Sequence, residues 1–517
     1  MPYVHSSRAA LRVAISDEFR IQRDTLSGLA GSGQVECRWR AFAIQVGPRQ
    51  TLREPQRIGI LPPRGTMNRI RILSGILLFA LSMGICAARP QSPAAGAPAQ
   101  SMQAAQGDAR AAVPEPAAKP VTAYTLPPDL SRKAHLLGQI AFYGQLVIFF
   151  YSLIVLWLCL KWRIAPKFRD WAEKSTRIRF LQAAIFSPLI LLSIAVLQIP
   201  MDVVREVVLR KFGLSIQSWS SWLGDWAKGQ FLSCLLGIIL IWLLYTVIRW
   251  SPRHWWSIFW LVMLPIIVIL VFLQPVVVDP MFHKFEPLAQ KDPALTVALE
   301  KMVQRAGETI PPERMFWMGA SEKTTELNAY VTGIGASKRI VVWDTTIAKM
   351  NTPQIVFVAG HEMGHYVLHH IAKGLAFAAL SLFVLFYLGY RFIGWLLTRW
   401  GDGWAIRNLS DWASFPALLL LLTVFSFIGN PIGAAFSRYV EHQADQYGLE
   451  VTHGLTPDSS QIAAQSFQIL GEVDLSDTDP NPVDVFLFYD HPAIPDRVRY
   501  ALTYDPWSDG GQPEFVH

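Results

Sequence analysis

The chain has 517 residues, 52% of them hydrophobic and 16% charged, and its mean hydropathy is +0.28. That balance excludes a disordered chain, disfavours an ordinary soluble enzyme, and points to a membrane protein of several domains. The net charge of +7 does not argue for nucleic acid, because residues 1–66 hold ten Arg, no Lys and five acids, Arg69 and Arg71 add two positive charges, and residues 89–517 are neutral. Of the four cysteines, Cys159 and Cys234 fall inside apolar runs, which leaves neither a disulfide framework nor a thiolate zinc site.

From Met67 the chain reads MNRIRILSGILLFALSMGICAARPQS, with two Arg, an apolar core and a small-residue end at Cys86-Ala87-Ala88, which is a secretory signal pattern. It predicts a signal peptide at 67–88, with 1–66 a spurious or disordered extension. The alternative makes 1–66 a cytosolic tail and 70–86 a short membrane span. Residues 89–128, rich in Ala, Pro and Gln, have little to bury and are expected to be a disordered linker.

Residues 138–160, 180–200, 229–248, 255–278 and 412–437 contain no Asp, Glu, Lys or Arg. Each suffices for the roughly 20 helical residues that cross a bilayer. A sixth run, 374–397, carries only Arg391 near its end, where a long side chain snorkels. The expected organisation is therefore four membrane helices in 129–278, a polar domain in 279–373, two more helices in 374–437, and the rest of that domain in 438–517. Trp255, Trp256, Trp400 and Trp404 at span ends read as interfacial anchors.

Within 279–373, helical spacing covers 294–306 and strand-like runs cover Met315–Met318 and Arg339–Trp343, with Asn328-Ala329-Tyr330-Val331 between them. A small sheet should thus precede a helix over 353–370. The fold class is mainly α and polytopic: a helical membrane barrel or bundle of six or seven spans carrying a small α+β domain, whose chemistry lies on its last helix.

That last helix reads His361-Glu362-Met363-Gly364-His365 within an apolar flank. Residues four apart project from nearly one helix face, so His361 and His365 can offer two imidazole nitrogens to one Zn2+ ion per chain. Glu362 sits one residue round, placed to take a proton from water at the open position. The bland reading, a core helix with two neutral histidines, leaves that carboxylate without a partner. A third ligand must come from downstream, because a metzincin continuation needs Gly at 368 and His at 371, where Leu and Ile stand. Ser437-Arg438-Tyr439-Val440-Glu441-His442-Gln443-Ala444-Asp445 supplies it: Glu441 to bind the metal and Asp445, on the same face, to brace a histidine. His369 and His370 extend the metal helix in bracing or surface roles, His442 points off the metal, His283 and His453 are surface or loop residues, and Phe467 and Leu470 pack a core.

At these residues the chain resembles the type I CAAX prenyl protease family, membrane zinc peptidases marked by HExxH and a distant SRxxExxAD. The resemblance spans about 138–505 and includes Lys211–Gly213, Asp279–Leu288, Asn328-Ala329, and His491-Pro492 with Arg497. It implies zinc on His361, His365 and Glu441, with Glu362 as base and proton shuttle. It also implies His491 over the scissile carbonyl, Arg497 positioning charge nearby, and Asn328, Ala329 and Tyr330 pairing with the substrate backbone as an added strand. The implied fold is a barrel of seven membrane helices around a water-filled chamber.

Charge sets the expected orientation. The loops 161–180, 249–256 and 398–411 hold eleven Lys and Arg against four in 201–230, so the former face the cytoplasm and the active site faces the periplasm or lumen. Prenylated C termini are cytosolic, so this side favours a broad quality-control peptidase for membrane or exported proteins over prenyl processing. A rival from another class is a non-catalytic scaffold with a structural zinc, but a structural site is closed by four ligands, whereas this set leaves room for water. The expected partners are a peptide or protein substrate and the lipid bilayer, with no nucleic acid.

Overall fold

The computed structural model describes residues 120–333, 337–508 and 510–517. The signal pattern and most of the linker lie outside them. Six helices are long and apolar enough to cross a membrane among the described residues. Four come first: α1 (Pro128–Lys161), α3 (Arg179–Lys211), α4 (Trp219–Trp250) and α5 (Trp255–Leu273). They leave Tyr143, Phe150, Ile154, Phe231 and Leu235 exposed. Their inner faces pack through Phe186, Ile190, Tyr245 and Phe259.

The basic connection after α1, expected as a loop, contains helix α2 (Ile164–Ser175). Its Arg169 is buried against Asp411, Nη1 to Oδ2 at 2.6 Å, and bonds the Ala405 carbonyl. Arg407 pairs with Glu173 at 2.8 Å. These ties put connections 161–178 and 401–411 on one side of the membrane. Trp255, expected as an interfacial anchor, is instead buried in the helical core, because the chain turns inward at 251–255 to start α5.

A π-helical turn, Gln274–Val278, leads from α5 into the short α6 (Asp279–Phe282) and then the sheet. The sheet has four strands, β1 (Lys284–Pro287), β2 (Met315–Gly319), β3 (Ala329–Thr332) and β4 (Arg339–Trp343), in the order β1-β2-β4-β3. β1 was not expected, since a four-residue strand containing Lys, Glu and Pro gives no alternation. Parallel β2 and β4 form the centre, and among the described residues β3 pairs only with β4, with Tyr330 opposite Val341, which leaves β3 at the edge. After β1 comes α7 (Leu288–Lys291), then α8 (Pro293–Arg305). Alternate sheet residues Met315, Ala329, Ile340 and Val342 bury one face against Leu295, Leu299 and Met302 of α8.

After α9 (Asp344–Lys349) the helix carrying His361 and His365, α10, runs Thr352–Val367. Asn351 starts it with a capping box: its Oδ1 accepts from Gln354 N at 3.1 Å while Gln354 Oε1 accepts from Asn351 N at 2.9 Å. It ends earlier than the expected 370. His369 adopts a left-handed φ of 57° and His370 begins α11 (His370–Trp400), so the boundary between the two expected helices falls at 368–369 instead of after 370, at a sharp turn that redirects the chain into the bilayer.

The final span belongs to α12 (Phe415–Thr452), whose 38 residues extend about 57 Å at 1.5 Å each, well past the bilayer core. α13 (Ser459–Val473), α14 (Pro482–Phe488) and α15 (Ile494–Thr503) complete the polar domain. Residues 120–127, expected to be linker, form a strap on α13. Gln461 and Gln468 each bond the backbone N–H and C=O of one strap residue, Val121 and Thr125 respectively, and Tyr124 Oη donates to Ser476 O at 2.8 Å. At the other end, buried Glu450 accepts the backbone N–H groups of Glu514, Phe515 and Val516.

Candidate active site

α10 and α12 cross where both helices are thinnest. A Cβ on Gly364 would lie 2.9 Å from Tyr447 Cβ, and one on Gly448 would lie 3.1 Å from the His361 backbone N. Only glycine permits that approach, and it sets His361 and His365 against Glu441 and Asp445. The Gly360-x-x-x-Gly364 spacing was the available sequence signal for this crossing.

His361 Nε2 and His365 Nε2 are 3.2 Å apart. His361 Nε2 lies 3.2 Å from Glu441 Oε2 and His365 Nε2 lies 3.4 Å from Glu441 Oε1. Donor atoms on a tetrahedral ion with bonds of about 2.0–2.1 Å sit about 3.3 Å apart; the separation of the two rings and the contact of each with one or the other Glu441 oxygen are of that size, and one ligand atom from each of the three residues lies within 4.8 Å of the others. Glu441 Oε2 is buried, has His491 Nε2 at 3.2 Å as well, and has no aligned hydrogen-bond donor. A buried oxygen in that state is a seat for a cation.

Behind this set, His361 Nδ1 makes a close contact of 2.8 Å with Asp445 Oδ1, off the N–H axis. Arg497 holds Asp445 with two bonds, Nε to Oδ2 at 2.9 Å and Nη2 to Oδ1 at 2.5 Å, and all of this is buried. Burial lowers the His361 imidazolium, but the Asp445 and Glu441 carboxylates outweigh it and carry the ring up to about 10 without an ion. Burial raises the Glu362 carboxyl above its usual range, against the pull of His361 and His365. Burial lowers His491 too, but Glu441 and Asp490 more than reverse it.

A cavity of about 550 Å³ opens on these groups. Glu362, His491 and Arg497 line it, as do Asn328, Ala329 and Tyr330 from the edge strand. His491 is turned toward Glu441 by Asp490, which holds its Nδ1 at 2.9 Å. The loop carrying it is pinned by Arg438, whose Nη1 donates to the carbonyls of Val485 and Tyr489, a function not read from the sequence. Phe467 and Leu470 line this cavity in addition to packing the core. His442 faces away against Tyr500, and His453 stacks on Trp507 at 3.6 Å between ring centroids.

The model of peptidase family M48 matches residues 289–504, and that of the CAAX prenyl protease N-terminal region, five membrane helices, matches 139–284. The chain is 36% identical over 341 residues to a Bacillus subtilis protein described as an uncharacterized metalloprotease, YhfN, covering 65% of this chain and 77% of that one. It is 26% identical over 262 residues to a CAAX prenyl protease 1 homolog of Dictyostelium discoideum, covering 49% of this chain and 59% of that protein. The crystal structure of S. mikatae Ste24p superposes with a TM-score of 0.61 at 23% identity, over 73% of this chain and 89% of that one, a likeness of fold. With six apolar helices and a polar centre of this composition, the chain belongs to peptidase family M48 and is a multi-pass membrane metalloprotease.

Proposed function

We propose that the chain is a zinc endopeptidase in which His361, His365 and Glu441 hold one Zn2+ and Glu362 is the general base. The observation that carries this reading is the set of three donor separations near 3.3 Å, with an ionisable carboxyl beside it in a cavity bounded by an open strand edge. Bound there, zinc supplies a Lewis acid and an acidified water. Glu362 takes the proton of the attacking water and delivers it to the leaving amine, and its raised affinity for protons suits both halves of that task. His491, with Nδ1 held by Asp490, directs Nε2–H at the charge developing on the carbonyl oxygen. Arg497 acts through Asp445, keeping His361 in place.

Substrate enters as an extended segment added to β3 at Asn328, Ala329 and Tyr330, which selects by backbone and weakly by side chain. The strap at 120–127 lies on the same side as the cavity, so a signal that exports the residues before it also exports the site. On that side, membrane and exported polypeptides are the substrates, and prenyl processing, named for the relatives, is the reading to test against it. Purified protein assayed for zinc stoichiometry and for chelator-reversible cleavage of an unprenylated and a farnesylated peptide decides the chemistry and the substrate. A Lys301→Cys variant should react with a membrane-impermeant thiol reagent from outside the cell. Labelling only after lysis would place the site in the cytoplasm.

A further inference from the structure

The two imidazoles of the centre are braced by different chemistry. Both turn Nε2 toward Glu441, so with the proposed ion held between them a neutral ring at either position gives the Nε2 lone pair to the metal and carries its proton on Nδ1. His361 Nδ1 faces a carboxylate, Asp445. His365 Nδ1 instead meets His370 Nδ1 at 3.1 Å, the rings edge to face at 72°. With His365 as the donor, His370 Nδ1 must accept, which puts the His370 proton on Nε2. That nitrogen lies 3.2 Å from Gln443 Oε1, an acceptor. Along the series no two donors and no two acceptors face each other.

The turn at His369 creates the contact. In an unbroken helix a residue five positions on points about 140° away. The left-handed φ of 57° at His369 brings buried His370 back against His365. Gln443 sits between Glu441 and Asp445 on α12, so the ends of α10 and α11 and the body of α12 converge on one ring.

We propose that His370 and Gln443 are positioning residues that lock His365 in the tautomer whose Nε2 lone pair faces the metal. This rests on the zinc centre proposed above. A neutral partner gives His365 less electron density than a carboxylate gives His361, so its hold on the ion depends on alignment.

The test uses the full chain in detergent, with zinc affinity by chelator competition and the visible spectrum of the Co2+-loaded protein. His370→Leu should weaken zinc binding about 10- to 100-fold and shift the cobalt bands. His370→Asn, which puts an amide oxygen near the lost Nδ1, should restore affinity to within about threefold of the parent, and Gln443→Leu, leaving both rings in place, should cost about threefold. The relay is overturned if His370→Leu keeps the parent's affinity and cobalt spectrum, or if His370→Asn and His370→Leu are equally impaired. His365→Ala separates the two readings: if it binds zinc like the parent, the metal centre itself is misassigned, whereas a metal-free His365→Ala beside a parent-like His370→Leu sinks the relay alone.

Discussion

Helices α11 and α12 are both long enough to span the membrane, yet 11% of the most apolar stretch of α11 is buried in the protein against 50% of that of α12. α11 shows Leu380, Val384, Phe392 and Trp395 to its surroundings. α12 leaves the bilayer with Glu441, Ala444, Asp445, Gly448 and Thr452 all packed against neighbours. A lipid-facing helix needs only composition, because any apolar side chain satisfies hydrocarbon. A helix that carries a site needs each residue at one rotation and one height, because its partners are fixed atoms.

Substitutions should separate the two kinds of helix position sharply. Glu362→Gln is expected to lower kcat by about 10²–10⁴ while leaving zinc content at one per chain, measured by peptidase assay and elemental analysis of one sample. A parent-like rate would end the general-base role. His491→Ala should cost about 10²–10³ in kcat with little change in KM, if Nε2–H meets charge only as it develops. At the crossing, Gly448→Val should destabilise by about 1–3 kcal/mol and loosen zinc binding, read by thermal unfolding and chelator competition.

Acidity probes the same place more gently. Because the metal-free fold raises His361 from 6.5 to about 10, the folded protein holds a proton that the unfolded chain has released. The stability so gained is complete below pH 6.5 and lost as pH climbs toward 10. Chelated protein should therefore melt at lower temperature across that window, and zinc-loaded protein should not show this loss. Zinc binding near pH 7.5 should release about one proton, visible as a dependence of the heat on buffer. Smallest of all, Val384→Leu on α11 should stay within about 0.5 kcal/mol of the parent. A loss as large as that from Gly448→Val would erase the distinction between the two helices.

The same distinction governs what the sequence made legible. Spans are set by charge-free length, so all six could be marked from composition, with only their ends extended by the structure. His361, Glu362 and His365 follow from helical period, and Glu441 and Asp445 from a second period in an acidic stretch after an apolar run. Gln443 escaped, and His370 was left between a bracing and a surface role, because their contacts depend on one residue, His369, taking a left-handed turn that no pattern around it announces. β1 escaped because four residues between a short helix and another carry too little alternation, and its partner β2 lies about thirty residues on. Trp255 misled because an indole at a span end suits both an interface and a core.

The grip of Glu450 on three successive amides near the last residues has a practical edge. That carboxylate lies nine positions beyond Glu441 on one continuous rod, with Gln446 and Tyr504 as its other companions. Trimming residues 513–517 would remove three backbone donors from that buried carboxylate and let the far end of the rod shift. A purification handle or reporter fused there pulls on the same joint, so expression vectors should place such additions elsewhere.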